Sequence, residues 1–439
     1  MRYADLWQPE ITYVIGHRRP DMDAVASAAG YAWYLSVTES EAVVAACAGQ
    51  PPQQAMFAVE RFEQPHPELL TEVFATFAHA ARPRVSIPTS APLSEAVSRL
   101  AQGAREVPVV DAELKPLGVV TPATLARALR DPARAAAVLA ESCVGHVEAA
   151  STFQGRERIC DHRAQLLRQE TDDFLVTDDD GRYLGVATRG QILNPPRAKL
   201  VLVDHNELSQ AVAGAEEAQI TGVLDHHRLG NPPTASPIPF VVDPVGSTST
   251  LVAERCRDRH LPLPTGIAGL LISGVLSDTL VFRSPTTTER DREAAAWLAW
   301  VARVDIDTYG EELLRAGPGL AGRAPEEILE ADRKTYTVGS KQISIAQVEV
   351  TGLQELNDVR AALLEALEAQ RVLEGLSLAC LMVTDVIRGR SRLLCQGEPP
   401  LLGELPFRRE MPGQYELGEV VSRKKQLVPA ILQALEQVA

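Results

Sequence analysis

Apolar, β-branched runs alternate with Ala-rich or amphipathic stretches along most of this chain, which predicts strand and helix in turn. Ile11-Thr12-Tyr13-Val14-Ile15 predicts a buried strand, and residues 24–35, apolar on more than one face, predict the buried helix behind it. Glu41–Ala46 adds a second short strand. From Lys199 the pattern returns, with strands at Lys199–Val203, Ile220–Leu224 and Phe240–Asp243. A long apolar helix over Ile267–Leu276 then closes at Ser277-Asp278-Thr279, and Ser284–Thr288 opens the next one.

Between these halves, residues 68–195 carry two imperfect copies of one unit at roughly 65-residue spacing. The first has a helix over Pro92–Leu100, strands Val107–Asp111 and Leu117–Thr121, and a helix over Pro122–Leu129. The second has a helix over Glu157–Arg168 and strands Phe174–Asp178 and Tyr183–Thr188. Pro65, Pro67, Pro195 and Pro196 mark its borders. Gly310, Gly317, Pro318, Gly319 and Gly322 predict a further boundary within 305–325, followed by a smaller α/β domain with strands Gln342–Val348 and Leu376–Val383. The expected division is 1–65 and 198–310 as one α/β domain with a mainly parallel sheet, 66–197 as an α/β insert, and 322–439 as a C-terminal α/β domain. A chain of this length accommodates two to four domains.

Composition narrows the function. A net charge of −15 argues against a general nucleic-acid or membrane-surface role, though an anionic substrate stays possible because a site can carry its own cations. No apolar run is long enough to span a membrane, and no signal-peptide hydrophobic region follows Met1–Asp5. Six cysteines without a C-x-x-C pair fit a reducing cytoplasm rather than a disulfide framework or structural zinc.

The chemistry sits where predicted strands end. The first strand runs into His17-x-x-Pro20-Asp21-x-Asp23, the next into Asp204-His205-Asn206, and the third into Asp225-His226-His227. Loops at the carboxyl ends of strands are where open α/β sheets place ligands. Mixed His and Asp donors at close spacing suit a divalent cation, while Asp21 or Asp23 as a plain helix N-cap is the alternative. Four of the nine His (17, 205, 226, 227) fall beside an Asp in these motifs. The Gly246–Thr250 turn could cap a helix or offer amides to phosphate. Ser422-Arg423-Lys424-Lys425-Gln426 is either an anion-binding cluster or a solvated helix face.

The insert resembles a tandem cystathionine-β-synthase (CBS) pair, which implies adenine-nucleotide binding. It departs from that family at Thr124 and Gln191, where an acidic residue commonly stands three positions after the terminal Thr. Outside the insert, the His17/Asp21/Asp23, Asp204-His205-Asn206, Asp225-His226-His227, Ser277-Asp278-Thr279 and Ser422–Gln426 motifs resemble the family II, manganese-type inorganic pyrophosphatases of the DHH phosphoesterase superfamily, with a DHHA2-type C-terminal domain. No Gly-Gly-Gly-His stretch of the nucleotide phosphodiesterases occurs. Met22 and Ala24 depart from the family at positions where no ligand is expected.

This resemblance implies two Mn²⁺ or Co²⁺ ions per site, with Mg²⁺ arriving with the substrate. His17 and Asp21 would serve one ion, Asp23 and His226 the other, and Asp204 and Asp278 would be shared or terminal ligands. Asp204, Asp278 and His227 would be catalytic, with His227 contacting phosphate. Arg423, Lys424 and Lys334, the last in Asp332-Arg333-Lys334, would bind pyrophosphate. It further implies a cytoplasmic homodimer regulated by adenine nucleotides, with no nucleic-acid or membrane partner. Alternatives are an exopolyphosphatase or nucleotide phosphodiesterase of the same superfamily, or a nucleotide sensor with a vestigial catalytic part.

Overall fold

A computed structural model describes residues 6–39, 41–169, 171–234, 236–317, 319–320, 322–339, 341–386 and 388–435. The first β-branched run forms β1 (Ile11–Ile15), and Ala42–Cys47 forms β2. The helix between them, Met22–Thr38, is longer at both ends than the apolar pattern implied. A two-residue strand, β3 (Glu68–Leu69), pairs with β2, so the chain stays in this sheet past residue 65. Glu68 and Leu69 pair there with Ala46 and Cys47.

The insert contributes β4 (Ile87–Pro88), β5 (Val107–Val110) and β6 (Pro116–Val120), then β7 (Thr152–Gln154), β8 (Asp173–Thr177) and β9 (Tyr183–Thr188), as two three-stranded sheets of the same order and sense. Each copy reaches across to the other, for Arg82 bridges Val186 of β9 and Glu148 bridges Val119 of β6. The terminal Thr of each copy, Thr121 and Thr188, caps the next helix in a reciprocal box with Thr124 and Gln191.

The chain then returns as β10 (Lys199–Val203), β11 (Gln219–Asp225) and β12 (Phe240–Val242). The sheet order is β12-β11-β10-β1-β2-β3, all parallel. Its direction of progression reverses between β1 and β10, the position where such sheets open a crevice. Strand alternation splits the core in two. Val14, Val201 and Val203 face one layer of helices, including Thr248–Asp258 and Thr265–Asp278. Tyr13, Ile15, Leu200 and Leu202 face the other way, into a core shared with Phe77, Phe153 and Phe174 of the insert. The insert is thus the second covering layer of the sheet.

The C-terminal domain has its own six-stranded sheet. It consists of β13 (Arg333–Val338), β14 (Lys341–Val350), β15 (Leu378–Asp385), β16 (Arg390–Gly397), β17 (Arg408–Met411) and β18 (Gln414–Gly418), in the order β13-β14-β15-β16-β18-β17. Gly310 does not mark the boundary: it sits inside the helix Ile306–Arg315, where an added Cβ would meet Val281 at 2.7 Å. Among the described residues no helix is long and apolar enough to cross a membrane.

Where the two copies of the insert meet, Glu106 and Asp173 occupy equivalent positions at the heads of β5 and β8 and are both buried. They share one cation, Arg84, which binds Asp173 Oδ2 at 2.5 Å. Glu106 Oε1, Asp173 Oδ1 and the Tyr183 hydroxyl are buried without a hydrogen-bond partner. Burial, then the charges of Asp173 and Glu148, raise the Glu106 carboxyl to about 7 against the partial relief of Arg84. A folded-state value above the unfolded one means that the stability carried by this proton is complete below about pH 4.5 and lost as pH rises through about 7. Glu106→Gln should flatten the fall in thermal midpoint across that window; unchanged parallel curves for both proteins would contradict the assignment.

Candidate metal centre

The loops leaving β1, β10 and β11 converge at the sheet's reversal point. Gly16 lets the first loop lie against its helix, since a Cβ there would come within 2.7 Å of the Ala24 Cβ. Arg18 N–H donates to the Gln210 carbonyl at 2.8 Å, tying the β1 and β10 loops together. Asp21 is the helix N-cap: its Oδ1 accepts from Ala24 N–H at 2.9 Å. Its Oδ2 stays free to face His17 Nε2 at 3.4 Å, so the capping and ligand readings are compatible.

Asp23, fully buried, lies in a cradle of donors at the start of the Thr248–Asp258 helix. Ser247 Oγ (2.7 Å), Ser249 N–H (3.0 Å) and Ser249 Oγ (2.5 Å) donate to one oxygen, and Thr248 N–H (2.6 Å) to the other. The expected amides for phosphate therefore serve the protein's own carboxylate, which the helix dipole also favours. Gly274 leaves room for it, as a Cβ there would stand 2.6 Å from Asp23 Oδ1.

Asp204 is the hub. It is fully buried, holds a left-handed backbone (φ +60°), and accepts from Thr248 Oγ1 at 3.0 Å. His17 Nε2 stands 3.4 Å from its Oδ2, and His226 Nε2 stands 3.3 Å from its Oδ1. His226 is oriented by Nδ1 against the Val245 carbonyl at 3.0 Å, and its Nε2 also lies 3.6 Å from Asp278 Oδ2. Asp278 ends its helix, where the dipole is negative and disfavours an anion. Asp225, read from the sequence only as part of its motif, organises the third loop. Its Oδ1 accepts from the backbone N–H groups of His226 and His227 and pairs with His227 Nδ1 at 2.9 Å. Asn206 binds its other oxygen. His205, in contrast, turns Nδ1 to the Val203 carbonyl at 2.9 Å.

Among the described residues, candidate ligand atoms fall into three groups, within each of which they lie no more than 4.8 Å apart. These are His17, Asp21 and Asp204; Asp23, Asp204, His226 and Asp278; and Asp204, His226 and His227. Asp204 belongs to all three. Asp204 Oδ2 and His226 Nε2 are buried without a hydrogen-bond partner among the described residues, as expected of atoms facing a cation. Burial lowers the His17 imidazole, but Asp204 and Asp21 outweigh it and raise it to about 10. His226 rises to about 9 for the same reasons, chiefly Asp204 against burial. Burial and the neighbouring carboxylates hold Asp278 well above the usual carboxylate range. Without cations the cluster is short of positive charge, and the donor set fits hard or borderline divalent ions.

A cavity of about 450 Å³ opens from this cluster. Asp21, Gln54, Ser277 and Asp278 line one wall, and Glu349, Val350 and Thr351 of the C-terminal domain line the other. Gln54 Oε1 holds Ser277 Oγ at 2.8 Å, next to Asp278. The predicted anion-binding residues are not among those lining it. Lys334 is exposed on β13 opposite Ile345, and Lys424 is exposed on a π-helical turn at Arg423–Leu427. Arg423 is buried, donating to the Ile345 carbonyl. From Ile345 to Glu349 at the cleft, β14 rises by about 13 Å.

Asp225→Asn is expected to weaken Mn²⁺ binding about 10- to 100-fold, the usual consequence of losing a group that supports a metal ligand, here through the backbone of the loop that carries His226. Metal titration of the purified variant would show it; unaltered affinity would remove Asp225 from that role.

Comparison with known proteins agrees with this geometry. Residues 11–275 match the model of the DHH family, N-terminal domain, and residues 311–434 match that of the DHHA2 domain. The manganese-dependent inorganic pyrophosphatase of Bacillus subtilis is 38% identical over 240 residues, which are 54% of this chain and 77% of that protein. The cobalt-dependent inorganic pyrophosphatase of Clostridium perfringens is 33% identical over 264 residues, 60% of this chain and 48% of that protein. A solved structure of a candidate family II inorganic pyrophosphatase from Methanococcus jannaschii covers 96% of this chain and 99% of that one. Its TM-score is 0.51 at 24% identity, which shows a common fold. The chain belongs to the DHH family, and within it to the manganese-dependent inorganic pyrophosphatases.

Proposed function

We propose that this protein hydrolyses inorganic pyrophosphate to two phosphates, and that adenine nucleotides at the insert adjust the rate. The observation that carries the catalytic half is Asp204, one carboxylate common to all three candidate ligand groups. His17, Asp21 and Asp204 would hold one Mn²⁺ or Co²⁺, and Asp23, Asp204, His226 and Asp278 the other; Mg²⁺ would accompany the substrate. Two such ions, when bound, lower the pKa of water and neutralise phosphate charge.

The chain's own residues set up the rest. Asp225 fixes His227 by Nδ1, leaving Nε2 to donate to a phosphate oxygen, and this pairing raises the imidazole against the effect of burial. The water oxygen forms the new bond to one phosphorus while the bridging P–O bond breaks, and the water's protons pass to the phosphate products. Lys334, Arg423 and Lys424 would bind the anion once the C-terminal domain closes the cleft, since they stand along β14 from it. Such closure excludes water and strengthens every charge contact.

Regulation has a physical route through the sheet. Ile15 and Leu202 are packed in the core shared with the insert, and each lies two residues before a ligand candidate, His17 and Asp204. A nucleotide that prefers one arrangement of the two copies would bias the spacing of those loops. Thr124 and Gln191 spend their side-chain oxygens in capping boxes, so any nucleotide would find its contacts elsewhere in the insert. A homodimer is part of the same proposal.

With Mn²⁺ or Co²⁺ saturating, Asp204→Ala or Asp278→Ala should reduce pyrophosphate turnover at least a hundredfold, or about 2.7 kcal/mol. A rate within tenfold of the native protein would contradict the shared-carboxylate reading. Tripolyphosphate hydrolysed faster than pyrophosphate would favour the exopolyphosphatase alternative. AMP or ADP should change the native rate several-fold, the range of a 1–3 kcal/mol coupling; indifference to millimolar AMP, ADP and ATP would rule out the regulatory half.

A further inference from the structure

The Arg423 guanidinium has five N–H donors. Nη2 donates to Asp332 Oδ1 at 2.8 Å, and Nη1 to the Asp332 carbonyl and, at 3.4 Å, to the Ile345 carbonyl. Nε, buried, has no hydrogen-bond partner among the described residues. The side chain is only 7% exposed, whereas its counter-ion Asp332 is 53% exposed. Asp332 is itself anchored, because its carbonyl also accepts Gln347 N–H of β14 at 3.0 Å. Two residues later stands Lys334, paired across the strands with the same Ile345 that Arg423 contacts.

The turn that begins at Arg423 is closed by its own side chains. Gln426 Oε1 accepts Val421 N–H at 3.1 Å and Ser422 N–H at 2.9 Å, and Ser422 Oγ accepts Lys425 N–H at 3.3 Å. Arg423 is thus the point at which a compact cationic turn is fixed to the strand bearing the third cation. We propose that Asp332 is a positioning residue for pyrophosphate binding: it holds Arg423, and through it Lys424, in register with Lys334. The inference rests on the reading that these three cations bind the substrate. Asp332 leaves the Nε–H and one Nη2–H of Arg423 uncommitted, two neighbouring donors of the kind an oxyanion takes together.

Steady-state kinetics on the full-length, metal-loaded protein test this, with metal content measured for every variant. Asp332→Ala should raise KM for pyrophosphate about tenfold with kcat within about twofold, the scale of one charge-assisted contact. Asp332→Asn, whose amide oxygen can still accept from Nη2, should give a smaller rise and covers the case in which the alanine variant does not fold. Arg423→Ala should raise KM at least as much, and adding Asp332→Ala to it should change nothing further. A KM unmoved by both Asp332 variants while Arg423→Ala raises it would overturn the positioning role and leave the cation reading intact. So would a KM that falls, which would make Asp332 a competitor of the substrate. Arg423→Ala with unchanged KM would remove the cation reading itself, and this inference with it.

Discussion

Everything near the metal centre depends on one carboxylate being held where a carboxylate is costly. Asp204 is fully buried at the end of the central strand pair, in a left-handed conformation that non-glycine residues seldom adopt. One hydroxyl donor and two imidazoles surround it, yet its Oδ2 keeps no hydrogen bond. A buried charge in that state needs cations. The other features follow from supplying them: His17 and Asp21 on one side, Asp23, His226 and Asp278 on the other, with a hydroxyl-lined cradle that fixes Asp23 in its place.

How much of this was legible in the sequence follows from sequence distance. The His and Asp motifs were legible because each is local and each ends an apolar strand. The cradle of Asp23 was not, because its donors lie 224 to 226 residues away and look like an ordinary helix cap. The Asp332–Arg423 pair, 91 residues apart, was hidden in the same way. In the C-terminal domain the two most apolar strands were visible, whereas β13, β16, β17 and β18 are short or rich in charged and polar residues and also read as loops. Gly310 misled in the opposite direction: a glycine needed for close helix packing reads the same as one in a linker.

The insert is separate in sequence and inseparable in structure. Its two copies carry their own sheets, yet Phe77, Phe153 and Phe174 bury the face of the catalytic sheet that the helices leave uncovered. Borders rich in proline suggest a detachable unit; the shared core says that removing it would expose Ile15, Leu200 and Leu202. The proposed coupling between insert and site would therefore need no dedicated pathway. It needs only that two packed layers share the strands from which His17 and Asp204 extend.

The central claim is that two cations share Asp204. Electron paramagnetic resonance of the protein loaded with Mn²⁺ addresses it directly, because ions bridged by one carboxylate are magnetically coupled. The expected result is two Mn²⁺ per chain with the spectrum of an exchange-coupled pair, reverting to isolated-ion signals in Asp204→Asn. A single Mn²⁺ per chain, or two that behave as independent ions in the native protein, would contradict it.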